Sequence, residues 1–429
     1  MAMPMNKTLS LLIKAIARDA AICGNYKSYS SAALYVHWPY CKRRCTYCNF
    51  NKYIQKSVNH ERMKQCLIKE AQTLLQLSGV EKITSVFFGG GTPSLAQPET
   101  IKIFLESISK HISPHSQTEI SMEVNPTSIE MDSLREFKAA GVNRVSIGVQ
   151  TLNTEALHIL GRDHSVQESL KCLEMAKSLF PGHVSLDLIY GWPGQSLDMW
   201  LAELKEILQI CDHHISLYQL TIERGTQLFK SIQENKLKLP DSDVTEDMYL
   251  QAVELLDQNG FERYEVSNFA KEHCYSYHNL AYWTGVDYIG VGPGAHGRFI
   301  PRDKGQREAR IQTLEPDNWM WEVENYSHAT RKCIPLTMQD QLEELLSVGL
   351  RTKSGVTHFA WSKICPKRSI EDLLLHNQKV QFYIHKGLLV LDNRGLKPSS
   401  EGMNIIDSIL PDLLIALQDA NNTAIYNEK

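Results

Sequence analysis

The strongest constraint on the fold is a regular alternation of short β-branched or aromatic runs with longer helical patterns. Six strand-like runs occur at Leu34–His37, Ser85–Phe88, Glu119–Val124, Arg144–Val149, Val184–Ile189 and His214–Leu220. Helical patterns follow at Val58–Leu77, Glu99–Lys110, Asp132–Ala140, Val166–Leu179 and Leu197–Ile210. Successive β-then-α units predict parallel strands joined by right-handed crossovers. We therefore predict an α/β fold with a partial (β/α)6 barrel over residues 33–300, whose functional groups lie at the carboxyl ends of the strands.

Composition excludes several classes of protein. The 429 residues carry 45 Lys+Arg and 49 Asp+Glu, a net charge of -4, so the chain has no basic field for binding nucleic acid. No stretch approaches the roughly 18 apolar residues of a spanning helix. Seven of the ten cysteines are isolated and are typical of reduced, mostly buried thiols. These seven are Cys23, Cys66, Cys172, Cys211, Cys274, Cys333 and Cys365.

The amino-terminal segment, residues 1–32, is basic and poor in acids, with Asp19 as its single carboxylate. At helical spacing one face is apolar and the opposite face is basic. The apolar face consists of Leu9, Leu12, Ile13, Ile16 and Ala20, and the basic face of Lys7, Lys14 and Arg18. This pattern predicts an organelle-targeting segment, and the alternative is a surface helix packed on the domain. A secretory signal is disfavoured because the segment has no continuous apolar run of about seven or more residues.

Three cysteines follow the first strand with the spacing C-x3-C-x2-C, at Cys41, Cys45 and Cys48. Three thiolates on one short loop favour zinc or iron-sulfur chemistry. Zinc would need a fourth ligand, for which His37 is a local candidate, and the paired C-x2-C halves of many zinc sites are absent. A four-iron cluster held by three thiolates would keep one iron open for a small molecule.

Glycines and polar residues stand at the ends of the later strands. Strand two leads into Gly89-Gly-Gly-Thr92, where the backbone can approach a ligand closely, although a plain turn would explain it too. Glu123, Gln150 and Asp187 end strands three, four and five, and Arg162 follows strand four. Such groups can reach a ribose, an adenine or a carboxylate. Taken singly, Arg162 could form a loop ion pair and Asp187 could cap a helix.

The cysteine spacing, with Tyr47 just before the third cysteine, resembles that of the radical S-adenosylmethionine (SAM) superfamily. The resemblance implies a 4Fe-4S cluster whose open iron binds SAM and whose electron cleaves it to a deoxyadenosyl radical. Gly90, Gly91 and Thr92 match the motif for the methionine end of SAM, and Glu123 matches a SAM-contacting glutamate. The expected cofactor pocket consists of Tyr35, Tyr47, Phe50, Gly90, Gly91, Thr92, Glu123, Gln150, Arg162 and Asp187.

Six motifs together resemble the oxygen-independent coproporphyrinogen III oxidase family over about residues 33–415. They are Tyr-Val-His-Trp-Pro-Tyr-Cys, Gly-Gly-Gly-Thr-Pro-Ser, Glu-Val-Asn-Pro, Ser-Ile-Gly-Val-Gln, Leu-Gly-Arg-Asp-His and Asp-Leu-Ile-Tyr-Gly-Trp-Pro-Gly-Gln. In the oxidase branch a fourth cysteine stands where this chain has Phe50. The haem chaperone branch, called HemW, instead has Cys-x3-Cys-x-Tyr-Cys-x-Phe, which this chain matches. Trp38 departs from the smaller aliphatic residue usual in the family, and we expect it to alter packing only.

A second motif of the chaperone branch, His-Asn-x-x-Tyr-Trp, is associated with haem binding and is matched at residues 278–283. The candidate haem-binding residues are His278, Asn279, Tyr282, Trp283 and His296. His278 could ligate haem iron, while Tyr282 and Trp283 offer flat apolar surface. The alternative is that His278 is a hydrogen-bonded structural residue, and the sequence does not rank it against His296. Arg298 or Arg302 could hold the propionates.

The resemblance implies a haem chaperone that binds SAM, a 4Fe-4S cluster and haem, and that transfers haem to acceptor proteins. The alternatives are a coproporphyrinogen III oxidase and a radical enzyme acting on another substrate. Animal relatives of the chaperone branch are mitochondrial, so we predict a mitochondrial location, with the cytoplasm as the alternative and peripheral membrane association as a further expectation. No catalytic residue is assigned.

The carboxyl-terminal part changes character. A polar run at residues 301–310 predicts a linker or lid over 301–336. Residues 337–429 should form a winged-helix-like domain with helices at Met338–Leu350 and Ile370–Ile384 and a hairpin at Gly387–Lys397. DNA binding is not expected, because Met338–Leu350 contains three carboxylates and no Lys or Arg.

Overall fold

The computed structural model describes residues 30–55, 57–112 and 118–427. The predicted targeting segment, residues 1–32, lies outside the described residues except for its last three. Within the described residues, no helix has both the length and the apolar character needed to cross a membrane.

Among the described residues, the strands fall into one large sheet and two small ones. In chain order they are β1 (Ser31–Trp38), β2 (Tyr40–Cys41), β3 (Tyr53–Ile54), β4 (Lys82–Gly90), β5 (Glu119–Val124), β6 (Arg144–Gln150), β7 (Val184–Tyr190), β8 (His214–Gln219), β9 (Glu262–Glu265), β10 (Asn268–Ala270), β11 (Tyr288–Val291), β12 (His296–Phe299), β13 (Glu308–Gln312), β14 (Thr330–Pro335), β15 (Val356–Thr357), β16 (Leu389–Asp392) and β17 (Gly395–Pro398). The large sheet has the order β14-β13-β12-β11-β1-β4-β5-β6-β7-β8-β10-β9.

The helices mostly lie between strands along the chain. They are α1 (His60–Ser78), α2 (Pro98–Ser107), α3 (Ser128–Ala139), α4 (Thr154–Leu160), α5 (Val166–Leu179), α6 (Leu197–Ile210), α7 (Gln227–Gln233), α8 (Ser242–Gln258), α9 (Tyr277–Trp283), α10 (Pro316–Tyr326), α11 (Met338–Gly349), α12 (His358–Ile364), α13 (Ile370–Leu374), α14 (Gln378–His385), α15 (Ser400–Asn404) and α16 (Ile406–Asn427). Local signals fix several ends. Gly79 ends α1 in the left-handed conformation, with φ 66°, and Ser165 begins α5 in a capping box with Glu168.

The predicted barrel is present. Strands β1, β4, β5, β6, β7 and β8 are neighbours in that order and pair in parallel. They correspond to the six strands predicted from the sequence, with small differences at the ends. The α/β fold class is therefore confirmed, and the carboxyl ends of the six strands lie at one edge of the sheet.

The two faces of the barrel strands differ in polarity, since alternate residues point to opposite faces. On the outer face, Leu34, Val86 and Met122 belong to one large apolar core shared with the helices. The inner face is polar, and its side chains include Tyr35, Ser85, Glu119, Glu123, Arg144, Ser146, Ser185, Asp187, His214 and Ser216. Packing against the helices uses the outer face, so the inner face remains for binding.

The large sheet continues beyond the barrel through residues that were expected to form a linker or lid. Strand β11 pairs in parallel with β1, and β12, β13 and β14 add antiparallel strands. Residues 301–336 thus contain two sheet strands and α10. The polar composition misled because Glu308 and Arg310 are buried in β13, where Arg310 Nη2 lies 2.9 Å from Glu308 Oε2. A paired charge can occupy a buried strand position that an unpaired one cannot.

The carboxyl-terminal helices and the three-stranded sheet β15-β17-β16 have an apolar core of their own, which includes Leu342, Leu346, Leu373 and Leu413. The hairpin is present as β16 and β17. The single helix predicted at Ile370–Ile384 is two helices, α13 and α14. The Asn377 side chain accepts hydrogen bonds from the amides of Lys379 and Val380, so it starts a new helix. The domain boundaries at 33, 301 and 337 stay predictions.

Candidate functional site

The three cysteines lie on a loop at the carboxyl end of β1. Cys41 belongs to the short strand β2 and is buried, while Cys45 and Cys48 are half-buried. The loop is tied to the end of α4, because Thr46 donates from its backbone amide to Leu160 O at 3.0 Å and from its hydroxyl to Ile159 O at 2.7 Å. The thiols are therefore held on a fixed loop at the end of the barrel where function was expected.

Two of the sulfurs have hydrogen-bond donors of their own. The Thr92 hydroxyl lies 3.3 Å from Cys41 Sγ, and Arg162 Nη1 lies 3.4 Å from Cys45 Sγ. Burial raises the pKa of Cys41 to about 11, and the Thr92 hydrogen bond opposes that rise. A buried thiol of this kind becomes a thiolate when a metal binds, since coordination deprotonates it outright.

His37, the local candidate for a fourth zinc ligand, is engaged in other contacts. It uses both ring nitrogens, with Nδ1 2.9 Å from the Tyr35 hydroxyl and Nε2 2.8 Å from Asn51 O. Among the described residues, no three His, Cys, Asp or Glu side chains are arranged to hold one metal ion. Thiolates that bind different irons of a cluster need not converge on one point, as tetrahedral zinc ligands must.

The glycine run after β4 packs directly against the strand that leads to Cys41. Gly91 donates to Trp38 O at 2.7 Å, and Thr92 donates from its amide to Tyr40 O at 3.0 Å. A Cβ on Gly91 would stand 2.7 Å from the carbonyl carbon of Pro39, which is closer than real contacts allow. These glycines therefore position the cysteine loop, in addition to any contact with a ligand.

Glu123 and Asp187 both lie on the polar inner face. Glu123 is one residue from the end of β5, whereas Asp187 lies in the middle of β7 and not at the strand end where it was expected. Gly90 donates to Glu123 Oε2 at 2.9 Å, and the Ser146 hydroxyl donates to Asp187 at 3.0 Å. Burial raises the pKa of Glu123 to about 7, and repulsion from Asp187 adds to the rise. Burial also raises the pKa of Asp187 to about 6. Asp187 is not a helix cap, because Ser196 caps the helix that follows.

Arg162 joins the cysteine loop to the barrel. Its Nη2 donates to Asn125 Oδ1 at 2.8 Å and to Gly148 O at 3.0 Å, in addition to the contact with Cys45. Asn125 Nδ2 lies 3.4 Å from the Thr92 hydroxyl. A continuous network thus runs from Cys41 through Thr92, Asn125 and Arg162 to Cys45. Sequence reasoning missed Asn125, although it stands in the Glu-Val-Asn-Pro motif.

The other predicted pocket residues differ in their placement. Tyr47 is hydrogen-bonded to Arg162 and so belongs to the same network. Gln150 ends β6 with φ 68°, a left-handed conformation that is strained for a residue with a side chain and that often marks functional positions. Tyr35 lies on the inner face, next to His37.

Phe50, in contrast, is 66% exposed, so the structure does not bring its side chain into this group. Trp38 is buried and stacks on His60, as expected of a packing residue.

The His-Asn-x-x-Tyr-Trp segment forms α9, which lies against the amino-terminal halves of β4 and β5, away from the cysteines. Glu119, the first residue of β5, accepts hydrogen bonds from the amides of Tyr277 and His278 at 3.0 Å each. Asn279 accepts a hydrogen bond from Trp283 Nε1 at 3.0 Å. The helix therefore closes one end of the barrel interior.

His278 itself is 2% exposed and uses both ring nitrogens. Nδ1 lies 2.9 Å from the Ser85 hydroxyl, and Nε2 lies 3.0 Å from the Tyr282 hydroxyl. Burial lowers the pKa of His278 to about 3, so the ring is neutral. These contacts are those of a structural histidine, and iron could reach this ring only after Tyr282 moved.

His296 has the opposite surroundings. It begins β12 at the cysteine end of the barrel and is exposed. The cysteine loop reaches this region, because Asn51 Nδ2 donates to Pro293 O at 2.9 Å. Arg298 Nε lies 2.9 Å from Glu344 Oε1, so its guanidinium is already paired. Arg302 lies beside Gly79, where α1 ends, at the other end of the barrel.

Comparisons with known proteins decide the family. The protein-family model described as "Radical SAM superfamily" matches residues 35–207 of this chain. A Danio rerio protein named "Radical S-adenosyl methionine domain-containing protein 1, mitochondrial" is 52% identical over 389 residues, which are 90% of this chain and 88% of that protein. The chain belongs to the radical SAM superfamily. Membership implies SAM and a 4Fe-4S cluster, and the predicted mitochondrial location agrees with the names of such relatives. The targeting segment itself stays a prediction.

The radical SAM chain is also similar to proteins of the HemN and HemW family. "Heme chaperone HemW" of Bacillus subtilis is 30% identical, with 83% of this chain and 96% of that protein covered. The solved Escherichia coli structure titled "Coproporphyrinogen III oxidase (HemN) from Escherichia coli is a Radical SAM enzyme." is 21% identical with a TM-score of 0.74, covering 94% of this chain and 93% of that one. At that identity the likeness to the HemN structure shows the fold alone.

Proposed function

We propose that this radical SAM protein is a mitochondrial haem chaperone, which binds a 4Fe-4S cluster, SAM and haem and transfers haem to haem-requiring acceptor proteins. The observation that carries the proposal is a three-cysteine loop, with Phe50 after it, in a chain of which 83% aligns with a protein named as a haem chaperone. Cys41, Cys45 and Cys48 would hold the cluster. Peripheral association with a membrane belongs to the same proposal.

The residues around the cysteines have distinct tasks in this proposal. When bound, the cluster supplies an electron and an open iron to SAM. Arg162 would balance the negative charge that Cys45 carries once it binds the cluster, and it fixes the loop through Asn125 and Gly148. Glu123 and Asp187 would bind the cationic and hydroxyl groups of SAM from the inner face. The buried surroundings of both carboxylates keep water from competing for them.

Changing Glu123 to Gln or Asp187 to Asn should weaken SAM binding about tenfold or more, equivalent to about 1.4 kcal/mol. SAM carries a sulfonium and an ammonium, which ionised carboxylates attract. Because the pKa values of Glu123 and Asp187 are raised to about 7 and about 6, both are largely protonated near pH 5. We therefore expect SAM affinity to rise between about pH 5 and about pH 8, and Glu123→Gln to abolish the upper part of that rise.

Anaerobic equilibrium dialysis of SAM against the reconstituted protein would measure both effects. Glu155→Gln, at an exposed position in α4, is the matched control and should bind SAM normally. Unchanged affinity in both Glu123→Gln and Asp187→Asn would refute the assignment of the SAM pocket.

The oxidase function is the alternative in the same family. In the oxidases a fourth cysteine follows the third after one residue, and this chain has Phe50 at that position. We expect the reconstituted protein to bind haem with a shifted Soret band and to leave coproporphyrinogen III unchanged when SAM and a reductant are present. Parallel haem titration and porphyrin analysis would test this. Sustained formation of protoporphyrinogen would assign the chain to the oxidases instead.

A further inference from the structure

One face of the sheet extension β12-β13-β14 presents a compact set of apolar and basic side chains. Directly opposite residues of antiparallel strands lie on the same face. The register pairs His296 with Ile311 and Ile311 with Lys332, and it pairs Arg298 with Ala309 and Ala309 with Ile334. These six residues, which we call the β12–β14 face, therefore form two parallel rows across three strands.

The opposite face of the same strands is used for packing. Phe299 belongs to the large core, and Arg310 lies over its ring at 5.1 Å while pairing with Glu308. The β12–β14 face is more open. His296 and Lys332 are exposed, Ile334 is 41% exposed, and Ile311 is half-buried. Neither His296 nor Lys332 has a hydrogen bond or an ion pair to another described side chain.

The chemistry of this face fits a flat, apolar ligand with negative charges at its edge. Ile311 and Ile334 offer apolar surface between an imidazole at one edge and an ammonium at the other, and Ala309 between the rows is buried at 8% exposure. Three strands with spacings of about 4.8 Å span about 10 Å, a width comparable to that of a porphyrin ring.

The cysteine loop and α11 lie beside the β12–β14 face, on two of its sides. The cysteine loop lies next to it through the contact of Asn51 with Pro293. On another side Arg298 is held by Glu344 of α11, so its charge is already balanced and Lys332 is the cation left for a carboxylate. A ligand on this face would therefore lie between the cysteine loop and the carboxyl-terminal helices.

We propose that the β12–β14 face is the haem site, with His296 as an axial ligand of the iron and Lys332 paired with a propionate. The proposal rests on the proposed haem-chaperone function and assigns its cargo to a place. It assigns a structural role to His278, which is buried and hydrogen-bonded through both ring nitrogens.

The test is a titration of the full-length, cluster-loaded protein with ferric haem, followed by the Soret band. His296→Gly should weaken binding about tenfold or more, and added imidazole should restore the Soret shift because it replaces the missing ring. Lys332→Glu should weaken binding of haem but not of haem dimethyl ester, which has no propionate charge. The matched controls are His376→Ala and Lys171→Glu, at exposed positions outside the face.

The outcomes separate this inference from the function on which it rests. If the unchanged protein does not bind haem, the haem-chaperone proposal is wrong and the site falls with it. If the unchanged protein binds haem and His296→Gly and Lys332→Glu bind it equally well, only the site is wrong. The same holds if His278→Ala, with an unchanged circular dichroism spectrum, removes the Soret shift while His296→Gly does not.

Discussion

Replacing Cys45 with alanine should remove almost all iron and labile sulfide from the anaerobically reconstituted protein while leaving the barrel folded. The cluster would lose one of its three thiolates, and Arg162 would lose the sulfur that it contacts at 3.4 Å. The apolar core lies on the outer face of the barrel, among side chains such as Leu34 and Val86, and does not depend on the cysteine loop. Iron and sulfide analysis together with circular dichroism would measure the two expectations separately.

Cys333→Ala is the control for this experiment, because Cys333 is exposed on β14 and has no predicted role in the cluster. It should retain iron and sulfide at the level of the unchanged protein. A stoichiometric zinc content without labile sulfide in the unchanged protein would contradict the cluster assignment. Loss of the circular dichroism signal in Cys45→Ala would show instead that the loop is needed for folding.

The sequence predicted well the features that depend on the spacing of residues close together in the chain. The alternation of strand and helix patterns depends on near neighbours in the chain, so the six barrel strands and the fold class could be predicted. The cysteine loop is equally local, since Cys41, Cys45 and Cys48 fall within eight residues. Placement of Glu123 near the cysteine end of the barrel followed from the rule that parallel strands share their carboxyl edge, whereas Asp187 lies in the middle of β7.

The features that sequence did not predict depend on contacts between distant segments. Asn125 matters through Arg162 and Thr92, and neither partner is its neighbour in the chain. The strands β13 and β14 were missed because a buried pair, Glu308 with Arg310, looks like a solvated run when only the sequence is known. His278 and His296 could not be ranked because only the fold shows which ring is enclosed.

Glu70 is another residue whose contacts with distant segments the sequence did not reveal. We expect its replacement to have a large effect on stability. It lies in α1 on the apolar stripe of Met63, Leu67 and Leu74, and it is 0% exposed. Its carboxylate accepts hydrogen bonds from Gly292 N at 2.8 Å, Ala329 N at 2.9 Å and Trp319 Nε1 at 3.0 Å. A lone acid on an apolar stripe is the sequence signal that could have revealed it. Through these contacts Glu70 fastens the residues before β12 and after α10 to the barrel.

We expect Glu70→Ala to lower the free energy of unfolding by about 3–5 kcal/mol, because each buried donor left without an acceptor costs about 1–3 kcal/mol. Glu70→Gln should cost less, since its amide oxygen can still accept. Glu61→Ala, on an exposed part of the same helix, should change stability by no more than about 0.5 kcal/mol. Chemical denaturation of all three variants would measure these differences.

The contribution of Glu70 to the free energy of unfolding should depend on pH. Burial raises the pKa of Glu70 from 4.5 to about 7, so protonation favours the folded state. The stabilisation from this group is complete below about pH 4.5 and is lost as the pH rises through about 7, by an amount on the order of 3 kcal/mol. Glu70→Gln cannot titrate, so its deficit relative to the unchanged protein should shrink between about pH 5 and about pH 8. A deficit that stays constant over that interval would mean that Glu70 is ionised throughout, held so by its three donors.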